Sequence, residues 1–455
     1  MGSEPPPPSA APAARPPSTP ATAAKGTTTR AKRSNTTISA ADGTTTTPAT
    51  ATTTATATTI SSLGQDLFLE IFLRLPNLPD VVRAALTCRS WLGAVRCSPS
   101  FRRLFRALHP APPIGLFLDI NGAATPSFAP LRRSDPDVTA ALHRGDFFLT
   151  SLPVNDDAYT SWGVTDCRDG YVLLWNKMVK PPVVAAVNPM TWAVDIIPVP
   201  CDVWAGRSGR RRNFAFLGFH LLSTDEKPSS FRVVCVCADK QRVRVAVFSP
   251  ETRDWVVHPW VYIGGDNSLK SSTGALVGGC VYWPFHGKGR MIRVNATTMD
   301  FSIVDLPLQM KVDGSNFRAG ETKDGLLCIV YASDDFLLHV WTHSVNADGI
   351  EIWVLQNIIS LSVKIDRIIG KRALGLQARL TVVQVRCGKV YLSMTCMTPV
   401  GTLHCRFFSL SLETTDLELL VEGCFDDLPC PYIMAWPSCL VGDDGSTGHE
   451  VEGSH

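Results

Sequence analysis

His339 and His343 stand four residues apart, a spacing that on a helix aims two imidazoles at one zinc ion. Their setting, "LLHVWTHSV", reads as a strand, where the same spacing spans about 13 Å. They are read as surface or core histidines. "CVC" at 235–237 puts Cys235 and Cys237 on one sheet face, with no CxxC pair to complete a zinc site. Cys424, Cys430 and Cys439 are spaced too irregularly for a metal set, and no metal or cofactor is expected. "GKGR" at 287–290 lacks the long frame and following helix of a phosphate loop, so it reads as a hairpin turn. "GRSGRRR" at 206–212 sets Arg207, Arg210, Arg211 and Arg212 in a Gly/Ser loop, either simply solvated or suited to an acidic or phosphorylated ligand. The carboxylates of "SDD" at 333–335 and "FDD" at 425–427 fit turns better than a hydrolytic dyad, and no Gly-x-Ser-x-Gly elbow is present. Nothing assembles a catalytic constellation. The chain is expected to bind, not to catalyse.

The elements that would carry binding differ sharply along the 455 residues. Residues 1–59 hold 18 Thr, 14 Ala and 9 Pro, with Ile38 the sole large branched apolar side chain. Such a segment buries too little to offset its ordering entropy and is expected to be a disordered tail, as are residues 442–455. Five basic groups there (Arg15, Lys25, Arg30, Lys32, Arg33) face only Glu4 and Asp42, while the whole chain carries +2. The part after the tail is therefore close to neutral, which argues against general attraction to nucleic acid or anionic membrane. No run of about 18 apolar residues exists, so no membrane span is expected, and the amino terminus lacks the apolar stretch of a secretory signal. The 14 cysteines are then read as free thiols of a reducing compartment, placing the protein in the cytoplasm, the nucleus or both.

From Ile60 the composition turns apolar. "SSLGQDLFLEIFLRLP" opens with Ser62 and Gln65 at capping-box spacing and closes at Pro76, which predicts a short helix. Leu67, Ile71 and Leu75 recur every four residues, while Phe68, Leu69 and Phe72 fill neighbouring faces. "VVRAALTC" predicts a second helix, with Pro79 suited to its first turn, and "RSWLGAVRCSPSFRRLF" a third. A unit so small, with apolar residues facing outward as well as in, is built to finish its core against another protein.

These residues resemble an F-box. The matches are Leu63, Asp66, Leu67, Glu70, Ile71, Arg74, Leu75, Pro76, Cys88, Arg89, Trp91, Pro99 and Phe101, in order and near the family's spacing. Gly64 departs from the pattern, which has proline there. The resemblance implies a three-helix F-box over residues 60–108 that docks a Skp-type adaptor and, through it, a cullin. Leu63, Leu67, Glu70, Ile71, Leu75, Pro76, Val81, Cys88 and Trp91 would form the adaptor face or its immediate support.

Residues 109–441 read as strands. "FRVVCVCAD" places Phe231, Val233, Cys235 and Cys237 on one face, and "RVRVAVF" alternates Val243, Val245 and Val247 with Arg242, Arg244 and Ala246. Two phrases recur loosely. One is a Gly-led apolar strand at "DGYVLLW", "GGCVYWPF", "DGLLCIVYAS" and "CGKVYLSM". The other is a polar turn followed by a strand, with Trp192, Trp255, Phe301, Trp353 and Leu417 as its equivalent marks. A repeat of four short strands is a propeller blade, and this length allows about six. The region resembles the kelch-like, F-box-associated C-terminal domains of large plant F-box families. The expected fold class is α+β and multidomain: the three-helix F-box, then a mainly-β propeller-like domain.

The expected function is that of a substrate receptor in an SCF-type ubiquitin ligase, recruiting a protein target whose contact residues the sequence does not place. The alternatives are a propeller-fold enzyme with a tunnel of convergent carboxylates or histidines, and a nucleic-acid binder using its basic tail and arginine loop.

Overall fold

A computed structural model describes residues 64–442, apart from 112, 121–122, 132–133, 154–160, 177–181, 201–202, 204–214, 224–229, 239–240, 264–273, 285–288, 308–316, 371–377, 398–402 and 424–428. The readings of residues 1–59, Leu63, the arginine loop, Cys424 and the segment after 442 lie outside the described residues, and the "GKGR" reading does so in part. The described residues all belong to one compact unit.

Its helical part has four helices where three were expected: α1 (Gln65–Leu73), α2 (Leu78–Leu86), α3 (Arg89–Arg96) and α4 (Pro99–Leu108). The predicted third helix divides at Ser98, whose hydroxyl accepts the Phe101 N–H (3.2 Å) while Pro99 takes the first helical position. A serine followed by proline is a start signal, and it outweighs the helical periodicity running across it. Asn77 caps α2 in the same way, accepting the Asp80 N–H at 2.9 Å. The expected capping box at α1 is not the start of that helix. Gly64 is the N-cap, its carbonyl accepts from Leu67 and Phe68, and Gln65 is the first helical residue, not the third.

The strands follow as β1 (Pro113–Leu118) and β2 (Ser127–Pro130), a helix α5 (Pro136–Arg144), then successive antiparallel meanders. β3 (Gly163–Arg168), β4 (Tyr171–Asn176), β5 (Val183–Asn188) and β6 (Ala193–Pro198) pair in order. So do β7 (Ala215–Ser223), β8 (Phe231–Ala238), β9 (Arg242–Ser249) and β10 (Asp254–Val257), with the short β11 (Val261–Tyr262) also on β9. β12 (Ala275–Val277), β13 (Cys280–Pro284), β14 (Arg290–Asn295) and β15 (Phe301–Asp305) form the next sheet. After these come β16 (Phe317–Glu321), β17 (Leu327–Ala332), β18 (Leu337–Val345) and β19 (Glu351–Ser360), a helix α6 (Ser362–Ile369), and β20 (Arg379–Arg386), β21 (Lys389–Met397), β22 (Leu403–Ser411) and β23 (Leu417–Gly423). These last two meanders join through one parallel bridge, Gly320 to Val385, into an eight-stranded sheet. A β-carbon at Gly320 would collide with the Val385 carbonyl, so this approach requires glycine. The final strand, β24 (Cys430–Ile433), returns to pair with β1.

Both faces of the middle strands β4, β8, β9, β13 and β17 are buried, as in a mainly-β, propeller-like domain. Val233, Cys235 and Cys237 of β8 pack toward β4 and β5, while Val234, Val236 and Ala238 pack toward β13 and β14. The β12–β15 sheet meets β16–β18 through Tyr282, Met291 and Ile329, and β17–β18 meets β20–β22 through Val330, Val382 and Phe408. Leu420 and Val421 of β23 then rest on Leu116 and Leu118 of β1. The cycle closes at Tyr432, fully buried, whose hydroxyl donates to the Gly170 carbonyl (2.9 Å) and whose ring meets Phe147 edge-on at 5.3 Å.

The repeated phrases mark turns. Asp169-Gly170, Gly278-Gly279 and Cys387-Gly388 each have φ > 0 at both positions, the twist-matched two-residue hairpin into the second strand of a meander. The second phrase is a four-residue loop ending at a left-handed residue: Trp192, Arg253, Met299 or Thr415. The strand registers correct two equivalences. Val194, not Trp192, occupies the place of Trp255, Phe301 and Leu417, each pairing with the last residue but one of the strand before. For Trp353, which pairs with His343, the matching place is held by Ile352 opposite Ser344. The indoles nevertheless share a role. Trp255 donates to the Pro198 carbonyl at the end of β6 (2.9 Å), Trp353 to the Asp305 carbonyl at the end of β15 (2.7 Å), and Trp192 to Arg144 in α5 (2.8 Å). In the first two cases each outer strand is thus stitched to the outer strand before it.

Candidate functional site

On α1 the two apolar stripes separate cleanly. Phe68 and Phe72 turn inward and are buried, and Trp91 from α3 packs on both rings, at 5.5 Å and, edge-on, 5.7 Å. Leu67 and Ile71, one turn apart, stay 54% and 41% exposed. Water is the worse solvent for them, and nothing in the helical core requires them outside. Glu70 is exposed on the same helix and pairs with Arg74 at 3.1 Å, a surface contact of the i,i+4 kind that adds little stability.

The remaining residues predicted for this face divide into surface and support. Pro76 and Cys88 are exposed, Cys88 as the N-cap of α3. Val81 is fully buried, and Leu75 and Trp91 are half-buried against the same helical core. So Leu67, Glu70, Ile71, Pro76 and Cys88 are available to a partner, whereas Val81, Leu75 and Trp91 hold the helices that display them. Exposed Leu86 on α2 and Leu104 and Leu108 on α4 were not singled out from the sequence. Period alone does not separate an outward leucine from an inward one when a helix is apolar on several faces.

Gly64 bears on the same helix. Its φ of −64° and ψ of 157° are those of proline, and no atom lies within 4 Å of where its β-carbon would be. Gly64→Pro should raise the unfolding free energy by about 0.4–1 kcal/mol by restricting the unfolded chain. Urea titration measures this directly, and a decrease would show that the N-cap needs its N–H.

The helical core is completed from the far end of the chain. Trp436 and Leu440, beyond β24, are buried among Phe72, Val81, Val95, Phe101 and Phe105. Arg96 donates to the Cys439 carbonyl (2.7 Å) and Arg106 to the Met434 carbonyl (3.1 Å), with the Arg106 guanidinium 5.5 Å from the Trp436 ring. His109 bonds the Leu73 carbonyl at 2.8 Å, taking up an open acceptor at the end of α1. The boundary expected near residue 108 is therefore not clean, because the C-terminal segment belongs to the core of both parts.

The inner strands carry the other polar cluster. Asp166 on β3 is buried. Burial drives its pKa up, but His220 on β7, the Arg168 charge and the Leu221 N–H (2.9 Å) outweigh it and hold the carboxyl at about 2. Arg386, also buried, reaches from β20 to the Cys167 carbonyl (2.8 Å) and to Asp169 (3.6 Å). These groups tie inner strands to each other. Cys235 and Cys237 lie 3.9 Å apart in the β4–β9 core, where burial pushes the Cys235 thiol up and keeps it protonated. Arg244, next to them in space, spends one amine on the Val203 carbonyl at 2.8 Å. His339 and His343 sit on β18, His343 against Trp353 and Glu351. Among the described residues no group of three or more His, Cys, Asp or Glu side chains could hold a metal ion.

Comparison with known proteins gives one family. The family described as "F-box protein AT5G49610-like, beta-propeller" matches residues 163–438, more than half of the chain. No curated protein matches. Among solved structures, a protein from Lactobacillus plantarum aligns at 9% identity over 60% of this chain and 86% of its own, with a TM-score of 0.32. That likeness is too slight to bear on fold or function. The matched span runs from the start of β3 to the segment that carries Trp436 into the helical core, and the chain belongs to this family of F-box proteins with a C-terminal β-propeller.

Proposed function

We propose that the protein is the substrate receptor of an SCF-type E3 ubiquitin ligase, binding a Skp-type adaptor and through it a cullin. The observation that carries this reading is the open Leu67–Ile71 stripe on a helix whose opposite side is locked by Phe68, Phe72 and Trp91. The proposed adaptor face is Leu67, Glu70, Ile71, Pro76 and Cys88, with Leu63 beside it and Leu75, Val81 and Trp91 as support. The ring domain would hold a protein target near the ubiquitin-charged enzyme, and its contribution is proximity, not chemistry. We read the ring as six blades, counting β2-β1-β24 as one and the eight-stranded sheet as two, because each meander there has four strands. The F-box is proposed to span residues 60–108 together with Trp436 and Leu440. The site of action is proposed to be the cytoplasm or nucleus, where free thiols stay reduced.

The test is direct. Full-length chain and a purified Skp-type adaptor, mixed at micromolar concentration, should elute together in gel filtration and carry a cullin with them. Separate elution would remove the ubiquitin-ligase reading.

A further inference from the structure

β19 is unlike the other outer strands. β6, β10, β15 and β23 are four to seven residues long, and each carries at least one acidic residue. β19 runs ten residues, "EIWVLQNIIS", with Glu351 its sole charge, and forms the open end of the eight-stranded sheet. Exposed apolar side chains concentrate on and beside it: Ile350, Ile352, Val354, Leu355 and Ile358, with Val345 on the neighbouring strand. Edge strands are ordinarily shortened, charged or interrupted by proline to prevent pairing with another chain. β19 has one charge in ten residues and no proline, and its bulge at Gln356 lies beyond the stretch 351–355.

Its free backbone groups can be assigned. The Asn346 N–H bonds the Ile350 carbonyl, which sets the alternation of the ladder with β18. Ile352 and Val354 therefore spend their N–H and C=O on β18, and Glu351, Trp353 and Leu355 direct theirs away from the sheet. What fits such an edge is another β-strand.

We propose that the occupant is a second copy of this chain, its β19 paired antiparallel with the first about a two-fold axis at Trp353. The strand is self-complementary in that register. Glu351 lies opposite the Leu355 of the other copy and Trp353 opposite Trp353, so every hydrogen-bonding pair joins two residues whose backbone groups are free. Between them Ile352 meets Val354 on one face, apolar against apolar. The two Glu351 carboxylates never face each other, as they would in a parallel pair. A contact of this symmetry closes at two copies and does not propagate.

Sedimentation equilibrium of the full chain at micromolar concentration should give a mass near twice 49.4 kDa. Ile352→Lys should give a monomer with an unchanged melting temperature. The register makes a sharper demand at Leu355. Leu355→Glu sets like charges opposite each other and should weaken the dimer at least tenfold, whereas Leu355→Lys meets Glu351 and should retain it. A monomeric wild type overturns the proposal, including the case in which β19 captures an extended apolar peptide while remaining monomeric. Equal weakening by Leu355→Glu and Leu355→Lys also overturns it.

Discussion

Leu67→Asp combined with Ile71→Asp should abolish co-purification of the Skp-type adaptor and cullin while leaving the melting temperature of the chain where it was. The two halves of this expectation come from different observations. Both side chains are about half exposed in the free protein, so exchanging them for carboxylates removes little from its own core. In the complex the same positions would be covered. Burying an aliphatic side chain is worth about 1.5–3 kcal/mol, so losing two costs about 3–6 kcal/mol, or at least two orders of magnitude in Kd. Burying two unpaired carboxylates adds to that loss. The contrast lies one residue along. Phe68→Asp or Phe72→Asp should unfold the helical part itself, since both rings are buried against Trp91. Adaptor binding by the Leu67/Ile71 double variant at wild-type strength would place the adaptor on another surface, and exposed Leu104 and Leu108 on α4 would be the first to examine.

Much of this site was legible because local chemistry and tertiary packing agree there. Pro76 ends α1 where proline must, and Pro79 sits in the first turn of α2. The count of helices failed at Ser98-Pro99, where the stretch "RSWLGAVRCSPSFRRLF" reads as one continuous helix. The cap and the proline fix a break that periodicity smooths over. Leu67 and Phe68 show the deeper difficulty. Each is a large apolar residue on α1, and only the position of Trp91 in space decides which one faces out.

In the strand region the turns were more readable than the faces. Asp-Gly, Gly-Gly and Cys-Gly stand at hairpins because both turn positions need φ > 0. Alternation in "RVRVAVF" suggested one covered face, yet both faces of β9 are buried and Arg244 goes in with them. That outcome depends on a second sheet arriving from residues 275–304, which no local pattern announces. The contribution of Trp436 to the helical core was equally hidden. It stands more than 300 residues from Phe101 and Phe105, in a stretch that reads as the end of a strand.

Trp436→Ala should cost about 3–5 kcal/mol, the range for emptying an aromatic site in a packed core, and the loss should fall on helices α1–α4. The indole is 1% exposed, edge-on to Phe105 at 5.9 Å and to Phe101 at 6.3 Å, and it shares a core with α1, α2 and α3. Four helices of eight to ten residues bury little by themselves, so a missing ring is a large fraction of their stability. The ring has a different anchor, because Tyr432 and the pairing of β24 with β1 lie upstream of the substitution and remain. Calorimetry of Trp436→Ala should therefore show a new, lower transition for the helices beside a ring transition close to the wild type, with adaptor binding lost in parallel. Deleting residues 430–455 removes β24 as well, and the ring transition should then fall too. Trp436→Phe separates packing from hydrogen bonding. The indole N–H is buried without an acceptor, so phenylalanine sheds an unmet polar group while keeping most of the ring, and its cost should be well under that of alanine. If Trp436→Ala instead melts in one unaltered transition and still binds the adaptor, the C-terminal segment does not hold the four helices in place, and they must be stable without it.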